Sequence, residues 1–255
     1  MDVHLFVIGD EILSGKRQDR HVRKVIELLG QRGMELAGVE FLPDDEHAIA
    51  PRIRAIAQAG NALLSCGGIG ATPDDRTRQA AALAFGQALA PHPEALALIR
   101  AEYGERATSS RMLMAEFPAG AGLVPNPINR VAGFSVGDCY FVPGFPEMAW
   151  PMLEWVLDER LRRLHDSEPK VEYSLRAVGS SGEGDLLDLM NATLEAFPGV
   201  KLSSLPFRGD GTRPRHIEFG IKGPRAQAAA AFDWFRAHLS ERPGLQIELL
   251  RGPAA

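Results

Sequence analysis

Cysteine is nearly absent: Cys66 and Cys139 are the only two in 255 residues. They form no C-x-x-C pair and no zinc-type spacing, which excludes a disulfide scaffold and a zinc ribbon. Both sit in apolar, strand-like runs, so two buried thiols in a reducing compartment are expected. A basic excess is missing too. There are 28 Lys and Arg against 33 Asp and Glu, a net charge of −5, the wrong sign for a nucleic-acid partner. Residues 1–169 carry 17 and 23, a net of −6, and residues 170–255 carry 11 and 10, a net of +1. Neither part is a polyanion-binding surface. No apolar run reaches the roughly 20 residues that span a bilayer. Met1-Asp2-Val3-His4 leads straight into a strand pattern, so no signal peptide is expected. The expectation is a cytoplasmic protein without a membrane or nucleic-acid partner.

What the chain does have is a glycine-rich turn. Leu63 to Cys66 is a short apolar run, followed by Gly67-Gly68-Ile69-Gly70-Ala71-Thr72-Pro73-Asp74-Asp75 and a helical stretch from Arg76 to Phe85. This predicts strand, tight loop, helix. Glycines without Cβ let a ligand touch the main chain, and loop amides backed by a helix start attract anions. Thr72 is a candidate N-cap and Pro73 suits a first helical turn. No Gly-Lys-Ser/Thr follows, so this is not a Walker loop, and the G-x-G-x-x-G spacing is also missing. Asp74 and Asp75 would repel phosphate unless a cation lies between them or they accept hydrogen bonds from a ligand. Asp74 also reads equally well as a helix cap.

The surrounding pattern predicts three β-α repeats. Val3–Ile8 is a strand, then come Gly9-Asp10-Glu11, the loop Ser14-Gly15-Lys16 and a helix over 19–31. Leu36–Leu42 is a strand, Pro43-Asp44-Asp45 a turn, and 46–59 a helix. Ala62–Cys66 is the third strand. Such alternation predicts an α/β fold, a three-layer, mostly parallel sheet with helices on both faces. Ligands then bind beyond the carboxyl ends of the strands, where the acidic loops 9–15, 43–44 and 67–75 should share one rim. Further on, Pro91–Tyr103 is a helix, Leu123 to Asn129 is extended, and 131–136 and 139–142 are strands. Pro143-Gly144-Phe145-Pro146-Glu147-Met148 then opens a helix over 147–164. Glu147 reads equally as a dipole-stabilising first-turn acid or as a ligand contact.

Residues 1–166 form the first expected domain and 170–250 a second, small α+β domain with the order β-α-β-β-α-β. Gly179-Ser180-Ser181-Gly182 also fits the G-x-x-G clamp of KH modules, although a helix-entry turn is the stronger reading. His21 is expected to be an exposed helical histidine, Trp150 and Trp155 core residues, and Arg208, Arg213 and Arg215 a solvated loop cluster.

Together, Gly9-Asp10-Glu11-Ile12-Leu13-Ser14-Gly15, Gly67 to Asp75, Asn126-Pro127 and Pro143 to Met148 resemble the molybdopterin-binding (MoaB/Mog-like) domain. The form is that found at the N-terminus of CinA-type competence/damage-inducible proteins. The resemblance covers about residues 3–164. It implies binding of a small-molecule pterin or nucleotide through its pyrophosphate, possession of a role in molybdenum cofactor biosynthesis, and a homo-oligomer. It also implies that Asp44 and Asp75 are catalytic and hold a divalent metal, Mg²⁺. Asp10, Glu11, Ser14, Gly15, Gly67, Gly68, Gly70, Thr72, Asp74, Gly144, Pro146 and Glu147 would contact phosphate or ligand. Alternatives are metal-dependent hydrolysis of ADP-ribose or FAD, as in CinA-type proteins, and a non-catalytic nucleotide-binding module. The chain departs from the family pattern at Ala71 (usually proline), at Asp19-Arg20-His21 (usually Asp-Thr-Asn), and at Asn129-Arg130-Val131-Ala132-Gly133 (usually Gly-Thr-Ala-Pro-Gly). It ends where a nicotinamide-mononucleotide amidohydrolase domain would begin, so deamidase activity is not expected.

Overall fold

A computed structural model describes residues 1–179 and 182–253. The chain divides into two units, Met1–Asp166 and Ser167–Ala255.

The first unit begins with β1 (Val3–Ile8), the one-turn helix α1 (Asp10–Leu13), α2 (His21–Gly30), β2 (Leu36–Leu42), α3 (Glu46–Gln58), β3 (Ala62–Cys66) and α4 (Thr77–Phe85). It continues with β4 (Leu89–Pro91), α5 (Pro93–Tyr103), α6 (Ser109–Met112), β5 (Glu116–Pro118), β6 (Gly122–Val124), β7 (Gly133–Val136), β8 (Cys139–Val142) and α7 (Pro146–Trp155). The main sheet has the order β2-β1-β3-β8-β7-β6. Its first four strands run parallel, and β7 and β6 add antiparallel. β4 and β5 pair separately.

Side chains alternate across this sheet, so it feeds two cores. On one side Phe6 and Ile8, Leu63, Cys139 and Phe141 pack with Ile49 and Ile53 of α3 and Ala80, Ala81 and Ala84 of α4. On the other, Leu5 and Val7, Leu64 and Cys66, Tyr140 and Val142 pack with Val25, Leu28 and Leu29 of α2 and Met152 and Leu153 of α7. Both faces of the central strands are thus covered, which is why β1 and β3 read as unbroken apolar runs. Each fully buried Leu, Ile or Phe contributes roughly 1.5–3 kcal/mol. Cys66 and Cys139 are free and buried as expected, and burial pushes both thiols up, Cys139 to about 12.

Several local expectations are corrected. The helix expected over 147–164 is α-helical only to Trp155. A wider π turn covers Val156–Arg160 and a 3₁₀ turn Arg162–Leu164. The wide turn, with Leu161 N–H donating to the Val156 carbonyl at 3.0 Å, puts Val156, Leu157 and Leu161 all in the core. The helix expected from Arg76 begins at Thr77, and its N-cap residue, Arg76, makes no side-chain cap. Thr72 is therefore not the N-cap, and Pro73 precedes the helix instead of opening it.

The second unit holds β9 (Val171–Val178), α8 (Leu187–Ala196), β10 (Lys201–Phe207), β11 (His216–Gly223), α9 (Arg225–Ser240) and β12 (Gln246–Arg251). Its antiparallel sheet has the order β10-β11-β9-β12. Leu175, Ala177 and Phe219 pack with Leu189 of α8 and Phe232 and Phe235 of α9. The G-x-x-G reading spans Ser180 and Ser181, which lie outside the described residues. Arg213 is engaged internally, paired with Asp210 at 2.8 Å and placed 4.4 Å over the Phe207 ring. Among the described residues no helix is long and apolar enough to cross a membrane.

Candidate functional site

At the carboxyl ends of β1, β3 and β8 lies a cleft of about 410 Å³. Its floor is the junction of two loops. Gly67 adopts φ +109, and a Cβ there would lie 2.2 Å from the Ile8 carbonyl oxygen; at Gly68, φ +68, it would lie 2.3 Å from Thr77 Oγ1. These positions require glycine. The Gly67 N–H donates to the Val142 carbonyl at 3.0 Å and the Thr77 N–H to the Gly68 carbonyl at 2.9 Å. Thr77 Oγ1 donates to the Gly67 carbonyl at 2.9 Å. Gly144 comes so close that a Cβ on it would sit 3.3 Å from Gly67 Cα. The loop after β3 is therefore clamped between β1, β8 and α4.

A buried arginine anchors the loop's far end. Arg78 donates to the Gly70 carbonyl at 2.7 Å, to the Glu116 carbonyl at 3.2 Å, and to the Leu113 carbonyl. Only 4% of its surface is exposed. Burial lowers its pKa from the usual arginine value, and the charges of Glu116 and Asp75 partly offset this. Nothing in the sequence pattern singled it out; an arginine two residues into a helix ordinarily faces water.

The acids converge as expected from the shared rim. Glu11, Asp44, Asp74 and Asp75 all line the cleft, with Gly67, Gly68, Gly70, Thr72 and Gly144. Asp44 Oδ2 accepts the Asp10 N–H at 2.9 Å. Burial pushes its carboxyl above the usual carboxylate range; the charges of Asp10, Glu11 and Asp74 act the same way, and the Asp10 amide opposes them. Asp75 Oδ2 accepts both the N–H and the hydroxyl of Thr72, at 2.9 and 2.5 Å. Thr72 is thus held by Asp75, the reverse of a threonine capping the helix. Among the described residues no three His, Cys, Asp or Glu side chains gather into a metal-holding group. Magnesium, however, is commonly held by one or two carboxylates plus substrate phosphates. The concentration of negative charge round Asp44 fits a cation completed in that way.

Other expected contacts are not in the cleft. The Asp10 side chain, Ser14, Gly15, Pro146 and Glu147 are not among its lining residues. Asp10 acts on Asp44 from outside the lining, through its amide and its charge. Ser14 and Gly15 follow α1, and the Ser14 N–H closes that turn on the Asp10 carbonyl at 2.9 Å. Pro146 and Glu147 form the first turn of α7, which suits Glu147 to the helix dipole.

Residues that sequence reasoning missed complete the walls. Tyr103, Met114, Asn126, Asn129, Phe145 and Met148 line the cleft, and Arg17 is the one cationic side chain doing so among the described residues. Asn126 is buried and organises its turn, accepting from the Ile128 N–H at 3.0 Å and donating to Asn129 Oδ1 at 2.8 Å. Asn126 and Phe145 lie inside stretches that the pattern had marked; Tyr103 and Met114 come from a helix and a 3₁₀ turn with no such mark.

His21 corrects an expectation. It is only 5% exposed, and its Nε2 lies 3.1 Å from the Gly144 carbonyl oxygen. Asp19, one residue before the N-cap Arg20 of α2, accepts from the N–H groups of His21 and Val22 at 2.9 and 3.1 Å. Burial lowers its pKa from the usual 6.5, while the Gly144 carbonyl and Asp19 pull the other way. The unfolded chain therefore takes up this proton first, and stability falls as pH drops below about 6.5, until the lower folded-state value is reached. His21→Asn should lose that part of the pH dependence. Urea midpoints at pH 7.5 and 5.5 test it: equal pH shifts in wild type and variant contradict the assignment.

A family model described as a probable molybdopterin binding domain matches residues 4–163. A CinA-like protein of Citrifermentans bemidjiense is 34% identical over 197 residues, covering 74% of this chain and 47% of that protein. A CinA-like protein of Escherichia coli O17:K52:H18 is 30% identical over 241 residues, covering 90% and 57%. The chain thus spans about half the length of the curated relatives it matches. The crystal structure of CinA from Thermoplasma acidophilum, described as of unknown function, is 26% identical with a TM-score of 0.57, covering 62% of this chain and 98% of that one.

Proposed function

This chain belongs to the molybdopterin-binding domain family, among the CinA-like proteins, and from that premise we propose that its first unit binds a phosphorylated heterocycle, a pterin or a nucleotide, through its pyrophosphate. One observation supports this most directly: the loop Gly67–Gly70 and the carboxylates of Asp44 and Asp75 line a single cleft. Amides free of Cβ atoms approach phosphate oxygens closely. Asp44 and Asp75 would be the residues to hold a magnesium ion, which would supply the positive charge needed between acid and phosphate. Arg17 adds a guanidinium suited to a second phosphate. Thr72 is fixed by Asp75, so its hydroxyl places that carboxylate and does not compete for phosphate.

Asp44→Asn tests this. Asparagine keeps an acceptor for the Asp10 N–H and removes a charge crowded by other acids. The expected result has opposite signs for stability and binding. The unfolding midpoint without ligand rises at neutral pH. Affinity for ADP in the presence of Mg²⁺ falls about 10- to 100-fold, because a hydrogen bond or contact to a charged group is worth roughly 1.5–3 kcal/mol. Isothermal titration with and without Mg²⁺ measures the second effect. Unchanged affinity in the variant, or binding indifferent to the metal, removes the role given to Asp44. Assaying the same samples for AMP release from ADP-ribose separates a hydrolase from a binding protein.

A further inference from the structure

The cleft is not polar throughout. Tyr103, Met114, Val131, Phe145 and Met148 give it an apolar stretch. Phe145 is the unusual member, because 55% of its surface is exposed. Its backbone is nevertheless fixed. It is the N-cap residue of α7, and its carbonyl accepts the N–H groups of Met148 at 3.0 Å and Ala149 at 2.8 Å. An uncovered aromatic ring on a fixed backbone, lining a cleft, offers a stacking surface.

Asn129 adds a directional group. Its Oδ1 accepts from Asn126 Nδ2 at 2.8 Å and from the Val131 N–H at 3.1 Å. A main-chain N–H can only donate, so the amide orientation is set. Its Nδ2 then points to Met148 Sδ at 3.3 Å, and a thioether is a weak acceptor. The amide group is thus held in place with a donor that a better acceptor could claim.

We infer that Phe145 and Asn129 read the ring of the ligand: a flat heterocycle stacks on Phe145 and presents a ring nitrogen or carbonyl oxygen to Asn129 Nδ2. This rests on the reading of the cleft as a site for a phosphorylated heterocycle, and adds which residues choose the head group. Asn129 lies in the stretch 129–133, where the chain departs from the usual family pattern, so the choice of ring belongs to this chain and not to the shared phosphate loop. A sugar phosphate or inorganic pyrophosphate fills the polar end and leaves Phe145 uncovered.

Calorimetric titration with ADP and with inorganic pyrophosphate, both with Mg²⁺, tests the inference. The quantity to follow is the ratio of the two affinities. Wild type should favour ADP. Phe145→Ala should lower the ratio about 5- to 150-fold, the usual loss when a base loses its aromatic platform, and Phe145→Tyr should restore it. Asn129→Asp keeps the acceptor oxygen and removes the donor, and should lower the ratio severalfold. Circular dichroism confirms that each variant is folded. A ratio unchanged by Phe145→Ala, or no recovery with tyrosine, overturns the stacking role; a ratio unchanged by Asn129→Asp overturns the hydrogen bond. If wild type binds pyrophosphate as tightly as ADP, the phosphate site stands and ring reading falls. If wild type binds neither, the phosphate site itself falls and the inference with it.

Discussion

Gly67→Ala should destabilise the first unit by about 3 kcal/mol or more, the range reserved for backbone strain added to a steric clash in a packed region. At φ +109 the position disfavours any side chain, and the methyl would also sit 2.2 Å from the Ile8 carbonyl oxygen. That oxygen belongs to the end of β1, which pairs with strands on both sides. Neither partner can retreat cheaply. The Gly67 N–H is committed to Val142 and its carbonyl to Thr77, so moving the residue breaks buried hydrogen bonds. Gly15→Ala provides the control. Gly15 has φ +73 but nothing within 4 Å of an added Cβ, so only the left-handed penalty of roughly 1–2 kcal/mol applies. Urea unfolding of both variants is the measurement. A Gly67→Ala midpoint at or above that of Gly15→Ala contradicts the clamped-loop account.

Arg78→Met should cost about 2–4 kcal/mol, because a buried acceptor left without its donor costs roughly 1–3 kcal/mol. Methionine replaces the volume of the side chain but leaves the Gly70, Glu116 and Leu113 carbonyls without their donor. Asp75 also loses the cation that offsets its charge from below the loop. The variant should therefore bind ADP more weakly even under conditions where it is fully folded. Arg78→Lys should recover only part of the stability. One ammonium group cannot match the planar fork that reaches three carbonyls. Denaturant unfolding and titration of the folded fraction check both effects. A methionine variant within about 1 kcal/mol of wild type removes the anchoring role, since that is no more than an ordinary substitution costs.

The core of the fold was legible because it depends on period. Val3–Ile8 and Ala62–Cys66 are apolar on both faces, which only a covered parallel strand explains, and helical stretches separate them. The glycine turn was legible because three glycines within four residues are hard to account for otherwise. The small order β-α-β-β-α-β of the second unit was also readable from its punctuation. The illegible parts depend on tertiary contact. β4, β5 and β6 have three residues each, too few to show a period. The π turn after Trp155 obeys the demand that Leu161 be buried, which no local propensity encodes. Arg78 and His21 look like surface residues in sequence and become buried only because carbonyls from distant segments meet them. Ser14 and Gly15 follow the turn of α1 and are not among the residues lining the cleft, although their turn resembles a phosphate loop in sequence.

The two sulfhydryls give the molecule a built-in clock. Cys66 is the last residue before the glycine turn, and Cys139 opens the neighbouring strand β8. Both are at most 1% exposed, and they sit at opposite ends of the paired strands, Cys139 beside Leu63 and Cys66 beside Val142, so an alkylating reagent reaches each only when the sheet opens at its own end. The rate at which Cys66 alone is alkylated therefore counts spontaneous openings of the ligand-binding end, with Cys139 as a reference from the other end, and a tightly held ligand should slow the Cys66 count.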